Sequence, residues 1–85
     1  MKVRDLLTDE SKWCKHVFNG PNGSHCLVGA ILVCYDHIAE KRLVIQHIFR
    51  YLGLSAIAGT SSSITVWNDN ATFAEVRALV EELDI

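Results

Sequence analysis

The sequence predicts a mainly α-helical fold, a compact single domain of four helices. Apolar residues recur at helical spacing over 24–35, 38–52 and 73–83, residues 72–75 ("TFAE") have the form of a capping box, and Gly53 directly follows an apolar run. An α+β fold with a short β-hairpin or strand pair is the alternative, because an Asn-Gly step within residues 15–26 can form a hairpin. The length of 85 residues suits one domain, and we expect residues 1–85 to form it.

The segment before residue 24 is predicted to form turns and a loop. Residues 3–7 are a short apolar turn that we expect to lie on the core, and Thr8 is predicted to cap the next turn, which leads to Trp13. Residues 19–24 ("NGPNGS") place two Asn-Gly steps around the only proline, which indicates a loop.

The next segment is predicted to be the central helix. Ser24 is the expected N-cap, and the helix is expected to run to about Tyr35. Gly29 lies in the middle of this helix, where glycine costs about 1 kcal/mol relative to alanine. We therefore expect another element to approach the helix closely at Gly29.

Residues 38–52 predict a third, longer helix with Asp36 as its cap and Gly53 as a left-handed stop. Its polar side chains form a narrow ridge made of Arg42, Gln46 and Arg50. A helix that is apolar around most of its circumference is either mostly buried or carries a partner surface. A homodimer is one expectation that follows.

The C-terminal third begins with a predicted flexible connection at residues 55–63. The following "ITVW", residues 64–67, fits either a strand, because of its β-branched residues, or a helical turn capped by Ser63. The last helix opens at the capping box. Its expected buried face consists of Phe73, Val76, Leu79, Val80 and Leu83.

Charge is distributed unevenly along the chain. The net charge of −2 argues against a nucleic-acid binder, which needs a basic surface. Residues 51–85 contain a single basic residue, Arg77, and five acidic ones. An acidic surface suits a basic protein partner, so these five are the predicted binding residues. They are Asp69, Glu75, Glu81, Glu82 and Asp84.

Cysteine usage and hydropathy bear on the compartment. The three cysteines are an odd number, and the N-terminus lacks an apolar stretch of the length of a signal peptide, which predicts reduced thiols and a cytoplasmic protein. The longest apolar run, residues 26–35, is too short to cross a bilayer, so no membrane partner is expected.

Four segments, "LLTDESKW", "CLVGA", "SITVWND" and "TFAEV", follow one another along the chain. In order and spacing they resemble a family of small uncharacterised proteins from bacterial and phage genomes. The resemblance covers nearly the whole chain. It implies a shared fold and a bacterial or phage setting, and it implies no reaction.

Cys26 is the residue that could carry catalysis. With Ser24 as N-cap, it would stand at the second helical position, where free amides stabilise a thiolate. A hydrolase would then use a histidine as base (His16, His25 or His47) and Asn68 or Asp69 to orient it. Because cysteine is often buried and leucine and valine follow it here, we expect Cys26 to be a buried structural residue.

Two further polar groups have structural explanations. The Cys14, His16, His25 and Cys26 set lacks the usual spacing of zinc ligands, so neither a metal nor another cofactor is expected. Trp67 is predicted to anchor the core, while Asn68 and Asp69 are predicted to brace the turn before the capping box.

The expected function is therefore protein binding without catalysis. The resemblance and the acidic end fit a phage or mobile-element inhibitor or modulator of a host protein with a basic surface, such as a CRISPR-type defence nuclease. The alternative is the Cys26-dependent hydrolase.

Overall fold

The computed structural model describes residues 1–53 and 61–85. Within them the chain forms five α-helices and two 3-10 turns, which confirms the mainly α prediction. The helices are α1 (Val3–Leu6), α2 (Leu27–Cys34), α3 (Ile38–Leu52), α4 (Ser61–Asn70) and α5 (Phe73–Leu83). The turns span Glu10–Lys12 and Pro21–Gly23. Helix α2 packs on α1, α3 and α4, while α5 packs on α1 and α3.

The cap of α2 is Cys26, so the prediction that Ser24 caps this helix is wrong. Cys26 Sγ accepts a hydrogen bond from the Gly29 N–H at 3.3 Å. The hydroxyl of Ser24 donates to the carbonyl oxygen of Pro21 at 2.8 Å, because the Pro21–Gly23 turn brings that oxygen within reach. Helix α2 therefore begins two residues later than expected.

Gly29 meets the close approach that its position predicted. A Cβ atom built on Gly29 would lie 2.1 Å from the carbonyl oxygen of Phe18. The backbone of the loop before α2 thus lies directly against the helix, and no larger residue fits there. That carbonyl oxygen also accepts from the Cys26 N–H at 3.1 Å.

The expected hairpin is reduced to isolated bridges in the described part of the chain. Trp13 pairs with His25 in a parallel bridge, and Asn19 pairs with the same residue in an antiparallel one. Asn22 and Gly23 have left-handed backbone conformations, with φ of 60° and 73°, which suits an Asn-Gly turn.

Helix α3 has the predicted bounds and the predicted stop, since Gly53 ends it with φ of 72°. Asp36 is not its cap. His37 occupies that position and its side chain makes no capping hydrogen bond. The buried residues are Val44, Ile48 and Phe49. Leu43 is 57% exposed, so the apolar circumference of α3 is covered only in part.

The ambiguous residues 64–67 are helical and belong to α4, which includes the serines at 61–63. Residues 55–60 of the predicted connection lie outside the described residues. Helix α5 opens with the predicted capping box between Thr72 and Glu75. Its expected face is confirmed: Val76, Leu79 and Val80 are buried, and Phe73 and Leu83 are partly buried against the core.

The two ends of the chain meet around α1. The Val3 N–H donates to the carbonyl oxygen of Ile85, which also accepts from the Tyr35 hydroxyl at 3.2 Å. Val3 and Ile85 are buried, as the apolar first turn predicted for Val3. The following 3-10 turn is capped by Asp9, which accepts from the Ser11 N–H at 2.9 Å, and not by Thr8.

No helix in the described ranges has the length and apolar character needed to cross a membrane.

Candidate functional site

Asn68 joins three separate parts of the fold through one buried side chain. Its Oδ1 atom accepts from the indole Nε1–H of Trp13 at 2.7 Å and from the Leu27 N–H at 3.1 Å. Its Nδ2 atom donates to the carbonyl oxygen of Cys14 at 3.1 Å. Asn68 has no exposed surface and its bond to Leu27 is buried, whereas Trp13 and Cys14 are themselves partly exposed. Helix α4, the start of α2 and the segment after the first 3-10 turn are thereby fixed relative to one another.

Asp69 holds the next part of the same segment. Its carboxylate accepts from the His16 N–H at 2.8 Å, and this bond is the main cause that lowers the pKa of Asp69. The His16 ring lies 3.5 Å from the same carboxylate. Asn68 and Asp69 do bond to backbone groups, as predicted. Their partners, however, are more than 40 residues away and do not belong to the turn before the capping box.

Cys26 is buried, as predicted, with 1% of its surface exposed. Burial raises the pKa of its thiol, and the hydrogen bond from the Gly29 N–H opposes that rise only in part. A buried, protonated thiol that caps a helix is suited to a structural role.

The histidines proposed for a hydrolase are placed elsewhere. His25 Nδ1 pairs with Asn19 Oδ1 at 2.7 Å, His16 faces Asp69, and His47 is exposed on α3. Among the described residues, no hydrogen bond connects Cys26 Sγ to a histidine. Within residues 1–53 and 61–85, the hydrogen bonds do not link Cys26 Sγ, a histidine and Asn68 or Asp69 into one set.

The candidate zinc ligands were Cys14, His16, His25 and Cys26. Across residues 1–53 and 61–85, no three or more histidine, cysteine or acidic side chains are grouped as metal ligands would be.

The predicted acidic binding residues differ in what they contact. Asp84 accepts from Lys2 Nζ at 2.7 Å and from Arg4 Nη1 at 2.8 Å, and these two hydrogen bonds lower the pKa of its carboxyl. Glu81 pairs with Arg77 at 2.7 Å across one turn of α5. Lys2 and Arg4 thus compensate the charge of Asp84. The contacts of Asp84 therefore differ from those of the glutamates.

Glu75 and Glu82 are seven residues apart and therefore share one face of α5. Both are exposed, although Glu75 also accepts from the Thr72 N–H at 3.0 Å in the capping box. Asp69 lies on α4 and faces His16, so it does not belong to the α5 surface.

An open groove of about 610 Å³ lies between the Glu10 turn and α5, and we call it the α5 groove. Its lining residues are Glu10, Thr72, Phe73, Ala74, Arg77, Ala78 and Glu81. Ala74 and Ala78 are exposed one turn apart, and Phe73 is partly buried with its ring centroid 6.0 Å from that of Trp13. Its apolar residues Phe73, Ala74 and Ala78, which we call the floor, share the groove with the charged residues Glu10, Arg77 and Glu81.

Sequence reasoning found Glu81 but missed Glu10, Ala74 and Ala78. The two alanines are spaced by four residues on the polar side of α5, which is a signal for an accessible helix backbone. Glu10 carries no such signal, because only the tertiary fold places its turn beside α5.

The fold and the groove together define a small helical domain with an open cleft whose lining includes two glutamates and one arginine. The chain belongs to the DUF6197 family of unknown function, whose profile matches residues 1–83. This agrees with the resemblance to a family of small uncharacterised proteins. Neither a curated protein nor a solved structure matches the chain.

Proposed function

We propose that this chain is a protein-binding module that engages a basic surface of another protein through the α5 groove. The observation that carries the proposal is the combination of an apolar floor with two glutamates, Glu10 and Glu81, in one open groove.

The charge of the groove favours a cationic partner. Glu10 and Glu81 line it, and Glu75 and Glu82 are exposed on α5. Arg77 also lines the groove, donates to two backbone carbonyl oxygens and offsets the charge of Glu81, to which it is paired at 2.7 Å. The negative charge beyond that pair therefore comes from Glu10, Glu75 and Glu82. Carboxylates placed around a binding surface accelerate the encounter with a basic partner and disfavour acidic ones.

The floor of the groove supports apolar contact. Ala74 and Ala78 project only methyl groups from α5, so a partner's side chain or helix can approach the α5 backbone closely. Phe73 adds an aromatic surface beside them. Burial of apolar area contributes about 25 cal/mol per Å², which gives such a contact its affinity, while the glutamates give it charge selectivity.

The proposed partner is a host protein of the bacterium in which a phage or mobile element resides. A CRISPR-type defence nuclease is our example, because a nuclease presents basic residues to the phosphate backbone and an acidic protein surface can occupy them. The acidic C-terminal part of the chain and the resemblance to a family from bacterial and phage genomes support this choice. Blocking of that kind requires no catalytic residue.

The test uses two matched charge reversals of the full chain. Glu81→Lys with Glu82→Lys changes the acidic surface, and Asp36→Lys with Glu40→Lys makes the same change in net charge on exposed residues that do not line the groove. Each protein is immobilised and then incubated with a bacterial lysate. The captured proteins are quantified at about 0.05 and about 0.5 M salt.

We expect wild type and the Asp36/Glu40 variant to capture the same basic proteins, with less capture at high salt. The Glu81/Glu82 variant should capture at least about tenfold less of these proteins. Its thermal midpoint should be unchanged, because exposed charges contribute little to stability. Equal capture by both variants would show that the acidic surface is only solvated.

A homodimer remains a second proposal, supported by exposed apolar side chains on α2 and α3. Leu32, Val33, Ile38 and Leu43 are each about half or more exposed. Light scattering over a range of protein concentrations tests it, with Leu43→Gln as the variant expected to give monomers.

A further inference from the structure

Three short segments before α2 are joined side by side by backbone hydrogen bonds. The Cys14 N–H donates to the His25 carbonyl at 3.1 Å, and the His25 N–H donates to the Lys12 carbonyl at 2.9 Å. On the other side, the Gly20 N–H donates to the Ser24 carbonyl at 2.9 Å. Residues 24–26 therefore run between residues 12–14, in parallel, and residues 18–20, antiparallel.

This register places two cysteines next to each other. Trp13 is paired with His25 in an isolated parallel bridge, so Cys14 and Cys26 are the residues that directly follow a paired position on their two segments. Because side chains alternate along extended segments, the residues of one pair project on the same side. At this position the Asn68 amide bonds to the Cys14 carbonyl and to the Leu27 N–H, so it replaces the next direct bond between the two segments. Paired segments lie about 4.7–4.9 Å apart and a disulfide spans about 4.4–6.8 Å between Cα atoms, so residues one step beyond a paired position are within its reach.

Gly20 supports the same placement from the third segment. A Cβ atom on Gly20 would lie 3.0 Å from Cys14 Sγ and 2.5 Å from Ser24 Oγ. Cys14 therefore projects to the side of the three segments that Ser24 occupies, and by alternation Cys26 projects to that side too. Glycine at position 20 leaves the space that the Cys14 side chain fills.

We propose that Cys14 and Cys26 are a redox-responsive pair that a peroxide converts into an intramolecular disulfide. Cys14 is partly exposed and Cys26 is buried, so the peroxide reacts first at Cys14. The Cys14 sulfur is oxidised to a sulfenic acid, and one oxygen of the peroxide leaves as water. Cys26 then attacks that sulfur, the S–S bond forms, and the sulfenic oxygen leaves as a second water with the Cys26 proton. Two thiols and one hydrogen peroxide thus give one disulfide and two waters.

Cys34 is excluded as the partner of Cys26 by its position. It lies eight residues further along, at the last residue of α2, which places it about 12 Å away at the helical rise. Cys34 therefore serves as an internal control.

The experiment treats the folded full chain with one to a few equivalents of hydrogen peroxide at neutral pH. Remaining thiols are then alkylated in denaturant, and the intact mass is measured. We expect a monomer that carries one alkyl group and is otherwise about 2 Da lighter than the reduced chain. If dithiothreitol is added before the alkylation, all three cysteines should be alkylated.

Tryptic mapping of the Cys34→Ser variant identifies the bond. Cleavage after Lys12 and Lys15 releases Trp13–Lys15, which contains Cys14, and the following peptide then contains Cys26 as its only cysteine. These two peptides should appear linked. Cys14→Ser, with a circular dichroism spectrum equal to that of wild type, should form no monomeric disulfide.

Three outcomes would overturn the proposal. In the first, the wild-type monomer keeps all its thiols or is oxidised directly to sulfinic acid. In the second, disulfides form only between chains, through Cys34. In the third, the Cys14→Ser variant forms as much monomeric disulfide as wild type.

Discussion

The Oδ1 atom of Asn68 lies 2.7 Å from the indole nitrogen of Trp13, although the two residues are 55 positions apart. The same oxygen accepts from the first amide of α2, so one buried acceptor satisfies two donors from different parts of the chain. Buried polar groups that lose their partner cost about 1–3 kcal/mol each. The "WND" segment is therefore a structural junction of the fold.

Replacing Asn68 by alanine should destabilise the protein by about 3 kcal/mol or more. The substitution leaves the Trp13 indole, the Leu27 amide and the Cys14 carbonyl without their partner. Urea unfolding followed by circular dichroism measures the change. Asn70→Ala is the matched control, because Asn70 is exposed and bonds only within α4, and it should shift the free energy of unfolding by less than about 0.5 kcal/mol. A loss below 1 kcal/mol for Asn68→Ala would contradict the junction.

Gly29→Ala should also destabilise the protein, by about 3 kcal/mol or more. This loss outweighs the gain in stability of about 1 kcal/mol that alanine brings over glycine inside a helix. The added methyl would overlap the Phe18 carbonyl, which is backbone and cannot move aside easily. Gly53→Ala serves as the comparison. Its Cβ would meet nothing within 4 Å, so it should lose only the 1–2 kcal/mol or so of a left-handed alanine. A Gly29→Ala variant as stable as wild type would disprove the close approach.

Cys26→Ala should reduce stability by about 1–2 kcal/mol through the loss of the helix cap, and Cys26→Ser should also reduce it because it buries a hydroxyl. Protein binding should be unaffected in both. In native thiol labelling at neutral pH, we expect Cys14 and Cys34 to react first and Cys26 only on unfolding. Rapid and selective labelling of Cys26 would favour the hydrolase alternative instead.

Stability should fall in alkaline solution. Burial raises the pKa of Cys26, Cys34 and Tyr35 above their ordinary values of 9.0, 9.0 and 10.0. A raised pKa in the folded state means that the fold favours the protonated group. The contribution of each group to the free energy of unfolding is therefore complete below its ordinary pKa. It is lost as the pH rises through the folded-state pKa.

Thermal midpoints measured from pH 7 to 10.5 test this expectation. They should be level up to about pH 8.5 and then decline. Cys26→Ala should decline less steeply because it lacks the most buried of the three groups, and identical profiles for the two proteins would exclude Cys26 as a source.

Structural features that depend on a few neighbouring residues were predicted correctly from the sequence. The capping box at Thr72 and Glu75 and the left-handed stop at Gly53 depend only on their immediate neighbours, and both are present. Residues 64–67 could not be assigned because β-branched residues fit a strand or a helix, and packing of Ile64 into the core decides for the helix.

Errors arose where a side chain had competing partners. Ser24 has the residue type of an N-cap, but a neighbouring turn offers it the Pro21 carbonyl, and Cys26 takes its place. Asn68 was expected to bond locally, and its true partners are brought together only by the complete fold. For the same reason Glu10 could not be assigned to the α5 groove.

The carbonyl of Ile85 holds both Val3 and Tyr35, and Asp84 holds Lys2 and Arg4. During synthesis on the ribosome, Arg4 is made 80 residues before Asp84, so α1 cannot complete these contacts until Asp84 and Ile85 have been made. Contacts of such long sequence separation slow folding, so we expect α1 of the nascent chain to remain incompletely packed until this segment has emerged. A fusion partner attached directly to Ile85 would crowd this junction, and a linker of several residues should be used at that end.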